Sequence, residues 1–401
     1  VYFVREIGAT EYGTYVVILT VSTVSQIIIG SGIGEGVAQR LSSRDERGEF
    51  FTSGLVLQTT LAILVSALIL LFDEQVNTYI GSEAAYLVIF VIVSWSAFNL
   101  LRDVLRGEGK VVWEGASQSG MVIIRIALQI TLVYFGYSVF GLTGALIAGF
   151  VLGIALSIWL IETRPRLPQM EHIKDLLQFA SRSTISGISL RLFDRLDVLL
   201  IVFLLTNTEV GIYEATFVLT SISILPVTGI GKTIFPKISS YDIQTESDEI
   251  SNLLTEALRY STLIALPIFG AAIIIGKSLL VVVYGDSFEL AYLVLVFISS
   301  ARILESVSRI MLYTANAIDS PEIAARSSVV TLLVNVLLGI PLILQFGVSG
   351  AAFATVLSFI VMIVMLYRPL DTIVQISIPT RSWTIQIISV LFMCIFLLSV
   401  D

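Results

Sequence analysis

Long apolar runs recur along almost the whole sequence, and they limit what the chain can fold into more than any other feature. About twelve of them reach the roughly 20 mostly apolar residues that a membrane helix needs. They lie near residues 14–33, 54–72, 84–101, 117–136, 141–161, 183–205, 212–231, 260–279, 290–313, 323–345, 349–367 and 383–400. Charged residues make up only 13% of the 401 residues, about half their share in a soluble domain. The pattern predicts an all-α polytopic membrane protein with about 12 visible transmembrane helices.

The loops between these runs alternate in charge. Lysine and arginine are concentrated in every second loop, with Arg5 and Lys277 as the exceptions. The loops that contain neither residue are 73–83, 137–140, 206–210, 283–289 and 346–348. Because loops rich in lysine and arginine stay on the cytoplasmic side, the pattern predicts a multi-pass protein of the cytoplasmic membrane. Its first visible span runs from the outside to the inside.

Two short motifs occur twice, each time before or at the start of an apolar run. Glu-Tyr-Gly-Thr-Tyr at 11–15 returns as Glu-Val-Gly-Ile-Tyr at 209–213, which is 198 residues later. Phe-Gly-Leu-Thr-Gly-Ala at 140–145 returns as Phe-Gly-Val-Ser-Gly-Ala at 346–351, which is 206 residues later. The nearly equal offsets indicate that a whole half-chain is duplicated. Duplicated membrane halves are typical of secondary transporters, which bind their substrate between the repeats.

The repeat also predicts how the chain is divided. The run at 183–205 opens the second repeat but has no counterpart before Glu11, and the chain begins with Val1 rather than methionine. We therefore expect that a first helix is missing from this sequence. Restoring it gives two parallel six-helix repeats around a central cavity, plus a C-terminal helix. The predicted domains are an N-terminal helical half at 1–168, a C-terminal half at 169–372 and an extra transmembrane helix at 373–401.

Several classes of site and partner are excluded by composition. The only cysteine, Cys394, has no partner for an intramolecular disulfide, and the only histidine is His172. A clustered His/Cys metal site is therefore excluded, and no cofactor is predicted. The formal net charge of −8 argues against nucleic acid as a partner, because binding to phosphate backbones needs clustered positive charge.

Ionisable residues inside the apolar runs are the candidate functional residues, because a charge in the membrane is costly unless it faces a cavity or a partner. In the run 290–313, the residues Arg302, Glu305 and Arg309 fall within about 60° of one helix face. One interpretation is that they lie near a cytoplasmic helix end, where arginines reach the lipid headgroups. For Arg302, which is nearer mid-span, a role facing the cavity is favoured.

Two other runs carry candidates. Four ionisable residues fall within seven positions of the run 183–205, namely Arg191, Asp194, Arg195 and Asp197. They either form ion pairs with one another or line the water-exposed surface of a cavity. In contrast, Arg125 has only apolar neighbours in sequence, so it needs a carboxylate from another helix or an anionic ligand.

The candidates are mainly arginines, and this indicates the charge of the cargo. A guanidinium group presents a fork of donors that matches phosphate and stays charged at any physiological pH. A cationic cavity in the membrane suits an anionic, amphiphilic cargo better than a cationic drug.

The chain resembles a known family over nearly its whole length. The motifs that carry the resemblance are Arg-Glu-Ile-Gly-Ala-Thr-Glu-Tyr-Gly-Thr-Tyr at 5–15, Arg-Leu-Asp-Val-Leu-Leu-Ile at 195–201 followed by 209–213, Phe-Pro-Lys-Ile-Ser at 235–239, Tyr-Gly-Asp-Ser-Phe at 284–288 and Gly-Val-Ser-Gly-Ala-Ala at 347–352. In order and spacing they are similar to those of Wzx-type polysaccharide or oligosaccharide-lipid flippases of the multidrug/oligosaccharidyl-lipid/polysaccharide (MOP) exporter superfamily.

The resemblance implies a cargo, a mechanism and roles for residues. The cargo would be a polyprenyl-linked oligosaccharide joined through phosphate or pyrophosphate, moved to the outer leaflet by alternating access for surface polysaccharide or glycan assembly. Its headgroup phosphate would be bound by Arg125, Arg191, Arg195, Arg302 and Arg309. The carboxylates Asp194, Asp197 and Glu305 would pair with the arginines or take a coupling ion. Coupling to Na⁺, coupling to H⁺ and transport without a coupling ion all stay open. Membrane lipid and other polysaccharide-assembly proteins are the further partners implied.

Three alternatives stay open. A cation-coupled multidrug exporter of the same superfamily predicts a cavity of carboxylates and aromatic residues rather than arginines. A membrane enzyme usually holds its catalytic residues in a long polar loop, whereas the loops here are short or lack a clustered acid/base set. A non-transporting scaffold in glycan assembly would tolerate neutralisation of the buried arginines.

Overall fold

The computed structural model describes residues 1–30, 32–43, 45–243 and 245–400, without the side chains of residues 182–194 and of Val400. The side chains of Arg191 and Asp194, both predicted site residues, therefore lie outside the described residues. Sixteen α-helices and two short 3₁₀ helices, and no strand, occur in these described parts of the chain. The α-helices are α1 (Tyr2–Gly30), α2 (Ile33–Ser43), α3 (Arg47–Leu71), α4 (Asp73–Ile80), α5 (Ala85–Gly107), α6 (Val111–Tyr134), α7 (Ser138–Leu160), α8 (Met170–Leu204), α9 (Asn207–Thr220), α10 (Leu225–Ile238), α11 (Ser247–Ser261), α12 (Ala265–Tyr284), α13 (Tyr292–Ala317), α14 (Pro321–Phe346), α15 (Val348–Val374) and α16 (Thr380–Val400).

Eleven helical segments among the described residues are long and apolar enough to cross a membrane. Each overlaps one of the predicted runs, and all but the last residue of the remaining run, 183–205, belongs to α8. The prediction of an all-α polytopic membrane protein is therefore confirmed. The two parallel repeats, the central cavity and the missing first helix stay predictions.

The two copies of the first repeated motif lie at a helix start and just after a helix interruption. Thr206 and Glu209 form a capping box at the start of α9, in which Glu209 Oε2 accepts hydrogen bonds from the Thr206 N–H and hydroxyl, each at 2.8 Å. The glutamate of the motif therefore has a structural role in that copy. In the first copy, Glu11 follows Gly8, whose φ of 81° interrupts α1. Glycine adopts this left-handed conformation without a steric penalty.

The chain forms two compact units, residues 6–195 and residues 1–5 with 196–401. They are called here the N-terminal unit and the C-terminal unit. The division falls within α8 rather than at 168/169, and the predicted domain boundaries stay a prediction. In the N-terminal unit, α5 packs against α2, α3 and α7, and α6 packs against α7. Phe50, Leu100 and Leu176 lie at the centre of one of its cores.

In the C-terminal unit, α13 packs against α10, α12 and α15, and α14 packs against α15. The last helix, α16, lies against α12 and is attached at its start by polar contacts. The indole N–H of Trp383 donates to the Leu258 carbonyl at 3.3 Å, and the Gln386 amide donates to the Arg259 carbonyl at 2.8 Å. These bonds tie α16 to α11, the amphipathic helix that precedes α12.

Candidate functional site

The predicted stripe on α13 is a buried charge network. Because residues three and four apart face each other on a helix, Glu305 contacts both arginines. Its Oε2 lies 2.6 Å from a terminal guanidinium nitrogen of Arg302, and its Oε1 lies 2.8 Å from Nε of Arg309. The side chains of Arg302 and Glu305 are both 6% exposed. Both carboxylate oxygens of Glu305 therefore have a cationic partner within their own helix.

All three guanidinium nitrogens of Arg302 have partners within the C-terminal unit. Besides the bond to Glu305, Nε donates to the Thr220 hydroxyl at 3.3 Å, and the other terminal nitrogen donates to the Phe217 carbonyl at 3.2 Å. The guanidinium carbon lies 3.8 Å from the centre of the Phe217 ring, in cation–π contact. Each guanidinium nitrogen of Arg302 therefore has an acceptor within the protein.

A second polar cluster in the C-terminal unit surrounds Asp197. Its Oδ2 accepts hydrogen bonds from the Tyr213 hydroxyl at 2.7 Å and from the Thr355 hydroxyl at 2.9 Å. The side chain of Asn335 also interacts with the Asp197 carboxylate, and the positive charge of Arg302 attracts the same carboxylate. The Oδ1 atom of Asn335 is buried and accepts no hydrogen bond from the described residues. The cluster thus combines a carboxylate with an unused amide oxygen.

The N-terminal unit holds Arg125 in a different environment. This residue lies on α6 and is half-buried, and its Nε is buried without a hydrogen-bond partner among the described residues. On α7, Gly149 faces it, and a methyl group added there would lie 3.1 Å from the Arg125 Cβ. The absence of a side chain at Gly149 therefore allows the two helices to approach closely at this point.

Arg125 and Arg195 both lie near Tyr15. The Tyr15 ring is buried, with 7% of the residue exposed, and its hydroxyl accepts a hydrogen bond from the Gln129 amide at 2.9 Å. The charges of Arg125 and Arg195 both act on Tyr15. The structure therefore groups two of the predicted arginines in the N-terminal unit, whereas Asp197, Arg302, Glu305 and Arg309 belong to the C-terminal unit.

The sequence analysis did not identify Tyr15, Tyr213 and Thr355 as site residues, and it did not identify Gln129 or Asn335 either. A signal for them was present in the repeat. Tyr15 and Tyr213 end the two copies of the first motif, and Gln129 and Asn335 differ by 206, the offset of the second motif. Equivalent positions of a duplicated half that carry similar polar residues are candidates for a shared role.

The described residues contain no group of three or more His, Cys, Asp or Glu side chains that could hold a metal ion.

Several other charges form ion pairs near the ends of helices. Asp175 binds Arg40 through both oxygens, at 2.9 and 3.0 Å. The hydrogen bond raises the pKa of Arg40, which keeps its guanidinium charged. This ion pair connects α8 to α2 within the N-terminal unit, and each of the two charges is neutralised by the other.

The sequence matches the model of a family described as polysaccharide biosynthesis protein over residues 3–293. The chain belongs to this family. It is 30% identical over 380 residues to the probable low-salt glycan biosynthesis flippase Agl15 of Haloferax volcanii, with 94% of this chain and 80% of that protein covered. It is also 28% identical over 408 residues to the probable flippase AglR of the same organism, with 100% of this chain and 85% of that protein covered.

Solved structures share the fold of this family member at low sequence identity. The inward closed conformation of the lipid II flippase MurJ has a TM-score of 0.81 at 15% identity, covering 100% of this chain and 90% of that one. An inward-facing multidrug resistance MATE family transporter of the MOP superfamily has a TM-score of 0.73 at 15% identity, covering 92% and 93%. These two structures show that the fold is shared. The family match and the two relatives named as probable flippases confirm the resemblance to polysaccharide or oligosaccharide-lipid flippases that the motifs indicated.

Proposed function

We propose that the protein is a flippase that moves an oligosaccharide linked to lipid phosphate or pyrophosphate across the cytoplasmic membrane by alternating access. The product would serve surface polysaccharide or glycan assembly. The observation that carries the proposal is the environment of Arg125, a membrane arginine whose buried Nε has no hydrogen-bond partner among the described residues. Membership in a polysaccharide biosynthesis family and the two relatives named as probable flippases support it. These relatives also indicate a transporter rather than an enzyme.

The arginines differ in how readily each can take the headgroup phosphate. Arg125 has an unused donor, and Arg195 lies in the same polar group around Tyr15. We assign these two the first contact with phosphate. Arg302 and Arg309 already bind Glu305, so they bind phosphate only if Glu305 releases them. For Arg191 and its neighbour Asp194 the roles rest on the sequence alone.

Asp197 is the proposed site of a coupling ion. Its carboxylate, the hydroxyl oxygens of Tyr213 and Thr355 and the unused Oδ1 of Asn335 are all oxygen ligands, which hard cations such as Na⁺ prefer. A proton on Asp197 would serve equally as the coupling ion. Binding of either would neutralise a carboxylate that is costly to keep charged in the membrane.

The first test is leaflet translocation in proteoliposomes with a labelled polyprenyl-diphosphate oligosaccharide. Wild type, Arg125→Ala and the control Arg326→Ala, an exposed arginine on α14, are compared. We expect protein-dependent transfer, lost in Arg125→Ala and kept in Arg326→Ala. Absence of transfer by the wild type, or transfer that Arg125→Ala leaves unchanged, would contradict the proposal. Transfer of a cationic drug instead would favour the multidrug-exporter alternative.

The coupling ion is tested in the same vesicles with imposed gradients. Transfer by the wild type should accelerate under a Na⁺ gradient or under a pH gradient, whichever ion binds at Asp197. Asp197→Asn should remove that response, while Asp286→Asn, outside the cluster, should keep it. A gradient response that survives Asp197→Asn would place the coupling ion elsewhere.

A further inference from the structure

Gln129 determines what the Tyr15 hydroxyl can do. The Gln129 Nε2 atom lies 2.9 Å from the Tyr15 hydroxyl and 3.1 Å from the Leu142 carbonyl oxygen. A carbonyl oxygen only accepts hydrogen bonds, so the amide group that faces it must be the NH₂ group. Both amide hydrogens are then used, one on Leu142 and one on Tyr15. The Tyr15 oxygen accepts, and its own hydrogen has no acceptor among the described residues.

A second unused donor accompanies this hydroxyl. The buried Nε of Arg125 lacks a hydrogen-bond partner in the described part of the chain, and the charges of Arg125 and Arg195 both act on Tyr15. Buried donors are nearly always hydrogen-bonded in folded proteins. A neutral hydroxyl donor beside guanidinium groups fits an acceptor that is both anionic and rich in oxygen atoms.

The C-terminal unit shows what the same tyrosine does when an acceptor is built in. Tyr213, at the position of the repeated motif that Tyr15 holds in the first copy, donates its hydrogen to Asp197 Oδ2 at 2.7 Å. Asn335 lies near that carboxylate, 206 residues after Gln129. In the N-terminal unit, no carboxylate among the described residues takes the hydrogen of Tyr15. An anion from outside the protein would complete this cluster.

We propose that the Tyr15 hydroxyl is a third donor to the phosphate of the cargo, beside Arg125 and Arg195, and that Gln129 positions it. The inference rests on the proposed function, because that function supplies the lipid phosphate. Tyr15 then adds directional hydrogen bonding to a site that otherwise acts through guanidinium groups.

The test measures equilibrium binding of two probes to the purified protein, a labelled polyprenyl diphosphate and the matching polyprenol without phosphate. Tyr15→Phe should weaken binding of the diphosphate about tenfold, because a hydrogen bond to a charged acceptor is lost. Binding of the polyprenol should not change. The matched control is Tyr284→Phe, which also removes a buried hydroxyl, one that donates to the Ala215 carbonyl at 2.9 Å. It should bind both probes as the wild type does.

The outcomes separate this inference from the proposed function. If Arg125→Ala loses diphosphate affinity and Tyr15→Phe does not, the role of Tyr15 is overturned while the anion site stands. If neither variant loses affinity, the anion site of the proposed function fails as well. Equal losses for the diphosphate and the polyprenol would mean that Tyr15 only supports the fold, which also overturns the inference.

A second variant keeps the test valid if Tyr15→Phe fails to fold. Replacing Tyr15 by 3-fluorotyrosine keeps the hydroxyl and nearly the same size, and it makes the hydroxyl a stronger donor. The diphosphate should then bind more tightly than to the wild type, with no change for the polyprenol. Unchanged or weaker diphosphate binding would contradict donation from Tyr15.

Discussion

In the C-terminal unit, the buried guanidinium of Arg302 has a partner for each of its nitrogens, and the Tyr213 hydroxyl donates to Asp197. In the N-terminal unit, the buried Nε of Arg125 and the hydrogen of the Tyr15 hydroxyl have no acceptor among the described residues. Tyr15 and Tyr213 hold the same position in the two copies of the first motif, whereas the two arginines do not occupy equivalent positions. The two regions differ in whether the protein supplies the anion.

This difference separates arginines that hold the fold together from arginines that are available to cargo. A charge within a membrane needs a counter-charge or a polar cavity. Where a carboxylate of the protein supplies the counter-charge, removing the arginine leaves that carboxylate behind in a buried position. Where the cargo supplies it, removing the arginine should weaken binding more than it lowers stability. Substitutions at the two kinds of arginine should therefore differ in how much stability and how much binding they cost.

The largest effect is expected for Arg302→Ala. The substitution removes one of the two cationic partners of the buried Glu305 carboxylate and leaves only Arg309, whose side chain is 35% exposed. The free energy of unfolding should therefore fall by about 3 kcal/mol, the lower end of the cost of breaking a buried ion pair. Arg125→Ala, which leaves no carboxylate partner behind among the described residues, should cost less than about 1 kcal/mol. Unfolding of both variants in mixed micelles measures the two values. Similar losses at the two positions would remove the distinction between the regions.

Replacing both partners should restore much of that loss. The double variant Arg302→Met with Glu305→Leu puts apolar groups of similar size in place of the ion pair, a change that is often neutral. We expect it to recover at least about half of the stability lost in Arg302→Ala, by the same unfolding measurement. A double variant less stable than Arg302→Ala would show that the pair of Glu305 with Arg309 contributes more than the Glu305 carboxylate costs without Arg302.

Glu108 tests whether an internally paired charge also stabilises the N-terminal unit. Its carboxylate accepts the N–H groups of Glu162 and Thr163 at 3.0 and 2.6 Å and pairs with Lys110 at 3.0 Å. Burial alone raises the pKa of Glu108, but these bonds outweigh it and hold the pKa below its usual value of 4.5. Stability from this group is therefore present above pH 4.5 and is lost as the pH falls through the lowered pKa.

Glu108→Gln should accordingly lower the free energy of unfolding by about 1 kcal/mol at pH 7. The difference from the wild type should shrink as the pH falls below the usual pKa, because the wild-type carboxylate is then protonated too. Thermal unfolding of both proteins across pH measures the effect. A difference that stays constant down to low pH would show that the charge of Glu108 contributes nothing.

The smallest effect is expected at Gly149. A methyl group there would lie 3.1 Å from the Arg125 Cβ and 3.3 Å from the Met121 carbonyl oxygen, so α6 must shift by a few tenths of an ångström. Gly149→Ala should weaken diphosphate binding about twofold to threefold by displacing Arg125. The control is Gly144→Ala on the same helix, where an added methyl group meets nothing within 4 Å. Equal affinities for the two variants would mean that binding tolerates this displacement of Arg125.

The spans could be predicted because membrane insertion depends on local hydropathy, which the sequence states directly. The contacts of Glu305 with Arg302 and Arg309 could also be predicted, because one helix fixes the spacing of its own side chains. The bond between Gln129 and Tyr15 joins residues 114 apart, and that between Arg302 and the Phe217 carbonyl joins residues 85 apart. No local sequence pattern predicts either bond, although the repeated motif includes Tyr15 and Tyr213 at equivalent positions.

The amino-acid sequence alone establishes that the chain crosses a membrane many times and that arginines outnumber carboxylates among the candidate residues of its apolar runs. Which of those arginines have hydrogen-bond acceptors within the protein depends on how the helices pack. For Arg302, acceptors from α9 and from its own helix come within 3.3 Å. For the Nε of Arg125, none of the described residues does. Hydrogen bonding depends on distances of about 3 Å, and these are set by how helices pack rather than by composition.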